Sequence, residues 1–394
     1  MEDILIVSNY YPPETGAASN RIEQLALKLQ QNNYKVSVIC PLANYPKGEI
    51  FENYKGKFYS KENLQGITVK RLWIYPSNSK NIFKRIISIL SFSMSLLFFL
   101  LFKKTPKKVV VQSPPLMLSF IAVFILNLKR KKIILNVSDL WPLAAIELNA
   151  VKSGSFSHKV SLLMEKYIYK KATLILGQSN EIIAHVKTLF PEKKCYLYRN
   201  FPDHKKVPNF EIHGENQTVR LFYAGLFGVA QGVFELCKQM NLKDLNLELH
   251  LFGDGAEKNQ IEDYINKFPE NKIFFHGMLD RNSLHQKLQT MDIAIVPLKT
   301  RIYGSVPSKI FEYGALGFPI LYCGGGEGED IVAENNLGWI VKVGDFTQLN
   351  QVLSDISATG STNIQKLKQH IFDISNFEFD LDKQIKHLIA QNVF

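Results

Sequence analysis

Two hydrophobic rhythms alternate along this chain. Short apolar runs at 4–8, 35–40, 67–74, 109–112, 133–137 and 173–176 read as buried strands. Between them, apolar residues recur every three or four positions, as at Ile22, Leu25, Ala26 and Leu29 within 20–31, which predicts helices. A second series of strands falls at 220–224, 247–252, 273–275, 293–296, 319–323 and 338–341, again with helical stretches between. Strands that alternate with helices imply crossover units and parallel, doubly wound sheets. The segment 201–217 is polar, with two prolines and a glycine, and predicts a linker. Two α/β domains follow, over 1–200 and 219–375, with a terminal helix over 376–394. In open parallel sheets ligands bind beyond the carboxyl ends of the strands, so a cleft between the two domains is expected.

The stretch 301–326, RIYGSVPSKIFEYGALGFPILYCGGG, concentrates the chemistry. Pro307 suits entry to a helix, and Gly317 and Pro319 end it. A short helix over 308–316 therefore carries Ser308, Lys309 and Glu312 close together on its surface, since residues three and four apart are neighbours. Its first turn adds unpaired N–H groups and the positive end of the dipole. A hydroxylated anion, such as a nucleotide diphosphate, suits that surface.

Composition narrows the field. Hydrophobic residues make up 46% of 394, enough for two cores and too many for a disordered chain. Cys40, Cys195, Cys237 and Cys323 are widely spaced, which suggests neither a zinc site nor a disulfide framework. Residues 1–200 hold 29 Lys+Arg against 12 Asp+Glu, a net of +17; residues 201–394 hold 18 against 24, a net of −6. The basic first half points to an acidic partner. Residues 86–102 lack any charge and are flanked by Lys84-Arg85 and Lys103-Lys104, and the apolar run 116–128 is followed by Lys129–Lys132. A span would separate the strands at 4–8 and 109–112, which belong to one sheet. The expectation is a monotopic helix in the membrane interface, against anionic lipid at 84–108 and 129–132, with a helix buried in the domain as the alternative. Met1-Glu2-Asp3 leads directly into a strand, so a cytoplasmic, peripheral location is expected.

Other motifs leave alternatives open. The loop 8–19, SNYYPPETGAAS, is either a phosphate-approaching loop or an ordinary turn. Asp139, in NVSDLWP, is either an acid at a strand's carboxyl end or a helix cap. Glycine-rich turns at 223–232 and 252–255 matter as a pair. Asp380-Leu381-Asp382 has the spacing of a metal-nucleotide motif but opens a helix, where acids favour the dipole. No His spacing suggests a metal site.

Together and in order, YPPETG at 11–16, YP at 45–46 with Gly48, SPP at 113–115, DLWP at 139–142, RN at 199–200, AQG at 230–232, FGDG at 252–255 and PSKIFE at 307–312 with ALGFP at 315–319 carry a resemblance. The chain resembles bacterial retaining glycosyltransferases of family 4 with the GT-B fold, and most of all the O-antigen, capsule and colanic-acid subgroup that includes L-fucosaminyl transferases. The resemblance implies a GT-B architecture of two Rossmann-like domains, with the donor on the second and the acceptor on the first. It places Glu312 on the donor ribose, and Ser308 and Lys309 on the diphosphate. Gly16 and Gly225 open loops toward the donor, and Gln231, Gly253 and Ser305 complete the donor contacts. The pattern departs from the family at Gly304, where many members carry a Glu, and at Leu226 and Gln231, where an Arg/Lys pair is usual. Asp139 stands where others place a His.

The function expected is metal-independent, retaining transfer of a sugar from a nucleoside-diphosphate donor, UDP-linked, to a polyprenyl-diphosphate glycan in surface polysaccharide synthesis. Lys309, Glu312 and Asp139 are the catalytic set, with no cofactor and no nucleic-acid partner. A GT-B nucleotide-sugar epimerase and a non-catalytic membrane adaptor are the alternatives.

Overall fold

The computed structural model describes residues 2–79, 81–203, 218–228 and 231–394. Most of the linker expected at 201–218, and Ala230 of the AQG motif, lie outside the described residues. The chain divides into two compact units. The first comprises 1–200, 302–305 and 382–394; the second comprises 201–301 and 306–381.

In the first unit the elements run β1 (Asp3–Val7), α1 (Ala17–Gln31), β2 (Lys35–Pro41), β3 (Tyr59–Leu64), β4 (Ile67–Leu72), α2 (Ile82–Phe102), β5 (Lys108–Ser113) and α3 (Leu116–Leu128). They continue with β6 (Lys132–Val137), α4 (Leu143–Glu147), α5 (Phe156–Lys171), β7 (Leu174–Gly177), α6 (Asn180–Leu189) and β8 (Cys195–Leu197). The sheet order is β3-β4-β2-β1-β5-β6-β7-β8, antiparallel only between β3 and β4. Strands such as β1 and β5 are apolar on both faces because helices cover both, so Ile4, Ile6, Val109 and Val111 are all buried. Helix α2 buries Phe92, Leu96 and Leu100 in this core.

The second unit runs β9 (Val219–Leu226), α7 (Val233–Gln239), β10 (Leu247–Asp254), α8 (Lys258–Lys267), β11 (Ile273–Gly277), α9 (Arg281–Leu288) and β12 (Ile293–Pro297). Then come α10 (Ser308–Ala315), β13 (Ile320–Cys323), α11 (Glu327–Glu334), β14 (Gly338–Val341), α12 (Phe346–Thr359) and α13 (Ser361–Glu378). Its sheet, β11-β10-β9-β12-β13-β14, is wholly parallel in the described residues. The chain winds outward from β9 in one direction, then resumes at β12 in the other. That reversal creates a switch point beyond the carboxyl ends of β9 and β12, where open α/β sheets take ligands.

The helix expected over 376–394 is divided. Helix α13 ends at Glu378, and a separate α14 (Leu381–Ala390) follows. Phe379 causes the break: it turns inward between Phe201 and Phe311, with ring centroids 5.5 and 5.0 Å away. From Asp382 onward α14 belongs to the first unit, where Asp382 Oδ1 lies 2.9 Å from Lys28 Nζ and Gln384 bonds the backbone of Arg199. The aspartate of the D-x-D spacing is thus engaged in an ion pair.

Candidate functional site

In the second unit, β9 ends in Ala224-Gly225-Leu226 and β10 in Phe252-Gly253-Asp254, with Gly225 directly opposite Gly253. A Cβ on Gly253 would sit 1.8 Å from Gly225 O, and its φ of +142° is one that side chains rarely adopt. A Cβ on Gly225 would meet Lys309 Cε and Nζ at 3.0 Å. Both glycines therefore clear space, the first for a neighbouring backbone and the second for the lysine.

Helix α10 holds that lysine. It begins after Pro307 with no side-chain cap; Ile310 N–H turns back to Pro307 O at 3.2 Å, which leaves the Ser308 and Lys309 N–H groups at the helix start. Ile310, Phe311, Tyr313 and Gly314 are buried, which fixes the orientation of the helix. Gly314 lets α13 approach, because a Cβ there would be 2.6 Å from Ser375 Oγ. Lys309 Nζ donates to Ala224 O at the end of β9, and to Tyr313 Oη at 3.3 Å. The Tyr313 hydroxyl donates to the same carbonyl at 3.0 Å. Two of three ammonium protons thus have neutral partners, and no carboxylate forms an ion pair with Lys309 among the described residues. Burial would lower its pKa, but the Tyr313 oxygen and the Glu312 carboxylate bring it above the usual lysine range. Tyr313, itself pushed up by burial, stays a neutral phenol. Lys309 is therefore a held cation. One turn on, Glu312 is exposed and accepts from Ser308 Oγ at 3.3 Å. The cation, the free N–H groups and the carboxylate share one helix start.

An open cavity of about 580 Å³ adjoins them, and Gly225 forms part of its wall. Leu226, Phe252, Met278, Leu279 and Leu284 supply an apolar lining, with Asp254 at the edge. Its size lies within the usual range for small-molecule sites. Gln231 is not a cavity residue: it donates its N–H to Gly228 O at 3.1 Å, with its side-chain oxygen folded against the same turn.

The first unit contributes a second cluster. Gly16 precedes α1 with φ +142°, and no side chain caps that helix. The Glu14 carboxylate accepts backbone N–H groups from Asn44 and Tyr45 at 2.9 and 3.0 Å, tying the glycine loop to the loop after β2. Asp139 follows β6. It does not cap α4, whose N-cap position is Pro142 with no side-chain cap bond. Burial pushes its carboxyl up to about 6, against a partial pull downward from Arg21. Arg21 is buried and bonds Asn136 Oδ1 at 2.9 Å and Tyr198 O at 3.0 Å. Asn136 passes the chain to Gln112 at 2.7 Å, and Gln112 donates to Ser138 Oγ at 2.7 Å, one residue before Asp139.

Ser305 lies in the 302–305 segment that belongs to this first unit. Gly304 there donates to Glu181 Oε2 at 2.7 Å and accepts from Ser179 Oγ at 2.7 Å. A Cβ on Gly304 would meet Ile182 and Leu140 at 3.0 and 3.1 Å, and its φ is +86°. A glutamate there would hold a strained backbone and push Ile182 and Leu140 aside, which gives a physical reason for the departure noted in the sequence. Ser305 and Gly16 are thus placed with Asp139 in one unit, and Gly225, Gly253, Ser308, Lys309 and Glu312 in the other. Sequence reasoning missed Tyr313 and the cavity residues Met278, Leu279 and Leu284, since an aromatic in a helix or a leucine before a turn carries no chemical signature.

Residues 218–358 match the family model described as glycosyl transferases group 1. No curated protein sequence matches significantly. Among solved structures, sucrose-phosphate synthase from Thermosynechococcus elongatus superposes with a TM-score of 0.73 at 15% identity, covering 100% of this chain and 99% of that one. HepE from Anabaena, solved with UDP, gives 0.67 at 12% identity over 99% and 100%. The lipopolysaccharide outer core galactosyltransferase WaaB gives 0.63 at 15% over the whole of both chains. Residues 218–358 are thus similar to glycosyl transferases group 1, and the chain has the GT-B fold.

Proposed function

We propose that the protein is a retaining, metal-independent glycosyltransferase. It takes a sugar from a nucleoside-diphosphate donor, UDP-linked, and places it on a lipid-linked glycan at the membrane surface during surface polysaccharide synthesis. The observation that carries this reading is the held cation Lys309 at the end of β9, beside an apolar cavity and an uncapped helix start. When a sugar leaves its nucleotide, negative charge grows on the diphosphate oxygens. A preorganised ammonium and helix N–H groups stabilise that charge more in the transition state than in the ground state. Glu312 accepts the ribose hydroxyls, and the apolar cavity takes the flat base. HepE's complex with UDP supports the choice of nucleotide.

On the acceptor side Asp139, with a pKa of about 6, is mostly carboxylate at neutral pH and still basic enough to receive a hydroxyl proton. It orients or deprotonates the incoming hydroxyl. The basic first half and the apolar helix α2 keep the enzyme at anionic lipid on the inner face of the cell membrane.

A thermal-shift panel of nucleotide sugars tests the donor, because a ligand that binds only the folded state raises the melting temperature. The selected donor, radiolabelled, is then incubated with membranes. Label in the lipid extract supports transfer, and the anomeric configuration of the product reports retention. A panel with no stabilising nucleotide sugar and no label in lipid would return the protein to the adaptor reading.

A further inference from the structure

The first unit presents far more apolar surface than α2 alone. Helices α2, α3 and α5 pack side by side on one face of its sheet, with α3 between the other two. On α2, Phe83, Ile87, Leu90, Met94, Phe98 and Phe102 are exposed and recur every three or four residues along the entire helix. The opposite face of α2, with Phe92, Leu96 and Leu100, is part of the hydrophobic core. On α3, Phe120, Phe124 and Leu128 repeat the outward stripe, Leu128 being 62% exposed. On α5, Phe156 is 83% exposed and Leu163 is 69% exposed. Tyr167 closes the gap between α3 and α5, its ring 5.2 Å from Phe120 and 6.1 Å from Phe124. Helix α8 in the second unit shows the ordinary alternative, turning Asn259, Gln260, Asp263 and Lys267 to water.

We propose that the outer faces of α2, α3 and α5 together form one in-plane docking platform for an anionic bilayer, with none of the three helices crossing it. The proposal deepens the membrane part of the function above and rests on it. Charge supports lipid rather than a second copy of the chain. Lys84, Arg85, Lys103 and Lys104 stand exposed at the two ends of α2, Arg130 beyond α3, and Lys159 and Lys166 on α5, and among the described residues no acidic patch lies between them to receive a like surface. Apolar area flanked by cations is the pattern of helices that lie in the lipid interface. The core contacts of α2 argue against a span, because lifting it into the bilayer would strip Phe92, Leu96 and Leu100 from the sheet. Lys129 also ties the end of α2 to α3, donating to Leu101 O and Lys103 O at 3.0 and 3.2 Å.

The decisive residues are those on α5, which a single-helix anchor would leave in water. Full-length protein is sedimented with vesicles of phosphatidylglycerol and phosphatidylcholine in equal parts, and with phosphatidylcholine alone. The double variant F156S/L163S is expected to lower partitioning to the anionic vesicles about tenfold or more, given what an exposed Phe and Leu gain on burial. F377S, on the second unit's α13, leaves partitioning unchanged. Nitroxide labels at Phe83→Cys, Phe98→Cys and Leu163→Cys are expected at one shallow depth. Graded depths along α2 with the Leu163 label in water would overturn the proposal in favour of a span, and concentration-dependent dimers with no vesicle binding would overturn it in favour of a second copy. Donor binding by thermal shift separates the two readings. F156S/L163S should keep it, whereas wild-type protein that partitions but binds no nucleotide sugar would sink the transferase reading alone.

Discussion

Lys309→Met is the most direct perturbation of the donor site. It removes the charge while keeping the length of an unbranched side chain against Gly225. Ala224 O loses the ammonium but keeps the Tyr313 hydroxyl at 3.0 Å, so no buried acceptor is left unpaired and the fold should hold. The magnitude follows from Coulomb's law. A unit charge about 4 Å from the growing anion contributes about 4 kcal/mol at an effective dielectric constant of about 20. Water in the open cavity screens part of this, so about 2 to 4 kcal/mol is expected. That corresponds to a fall in kcat of roughly 30- to 1000-fold. The charge it meets develops in the transition state, so kcat falls more than donor affinity does. The assay is initial-rate transfer from the donor chosen by thermal shift, with the melting temperature of the variant as the control for folding. A Lys309→Met enzyme that folds normally and keeps kcat within about threefold of wild type, a change under 1 kcal/mol, would refute the electrostatic role.

Three further outcomes are expected. Transfer should rise with pH through about 6 as Asp139 loses its proton, and Asp139→Asn should abolish that acidic limb and slow transfer about 100-fold or more, both read from a pH–rate profile. Glu312→Gln should raise the donor KM roughly 10- to 100-fold with a smaller change in kcat, since a charged acceptor of the ribose hydroxyls is lost. Gly253→Ala should cost about 4 kcal/mol or more in urea unfolding, because its Cβ would overlap Gly225 O. Gly56→Ala, with a positive φ but open space around it, should cost only about 1 kcal/mol.

The buried parallel strands were legible because strands covered on both faces are continuous apolar runs. Strand β3 was not: Tyr59–Leu64 is a polar edge strand, half in water, and its pattern resembles a loop. Strand β8 has only three residues. The proximity of Ser308, Lys309 and Glu312 followed from helical spacing, but the partners of Lys309 did not, since Ala224 lies 85 positions away and a backbone carbonyl leaves no trace in the sequence. An apolar stretch announced α2, yet which face is buried depends on α3 and β4 beside it. Gly304 read as a missing acid. Its positive φ and tight packing against Leu140 and Ile182 favour a glycine there.

The opposed glycines at the ends of β9 and β10 have a consequence for engineering. Where Gly225 and Gly253 face each other, the floor of the proposed donor site is bare main chain, and main chain offers the same amides whatever residues surround it. On the proposed function, recognition of the phosphates there is common to any donor, and substitution alters folding before it alters preference. Selectivity between bases or sugars has to be sought on the rim, at Leu226, Met278, Leu279 and Leu284. Met278 is the most accessible starting point for a library: it is almost fully in solvent, and its long unbranched side chain can be exchanged without disturbing the core.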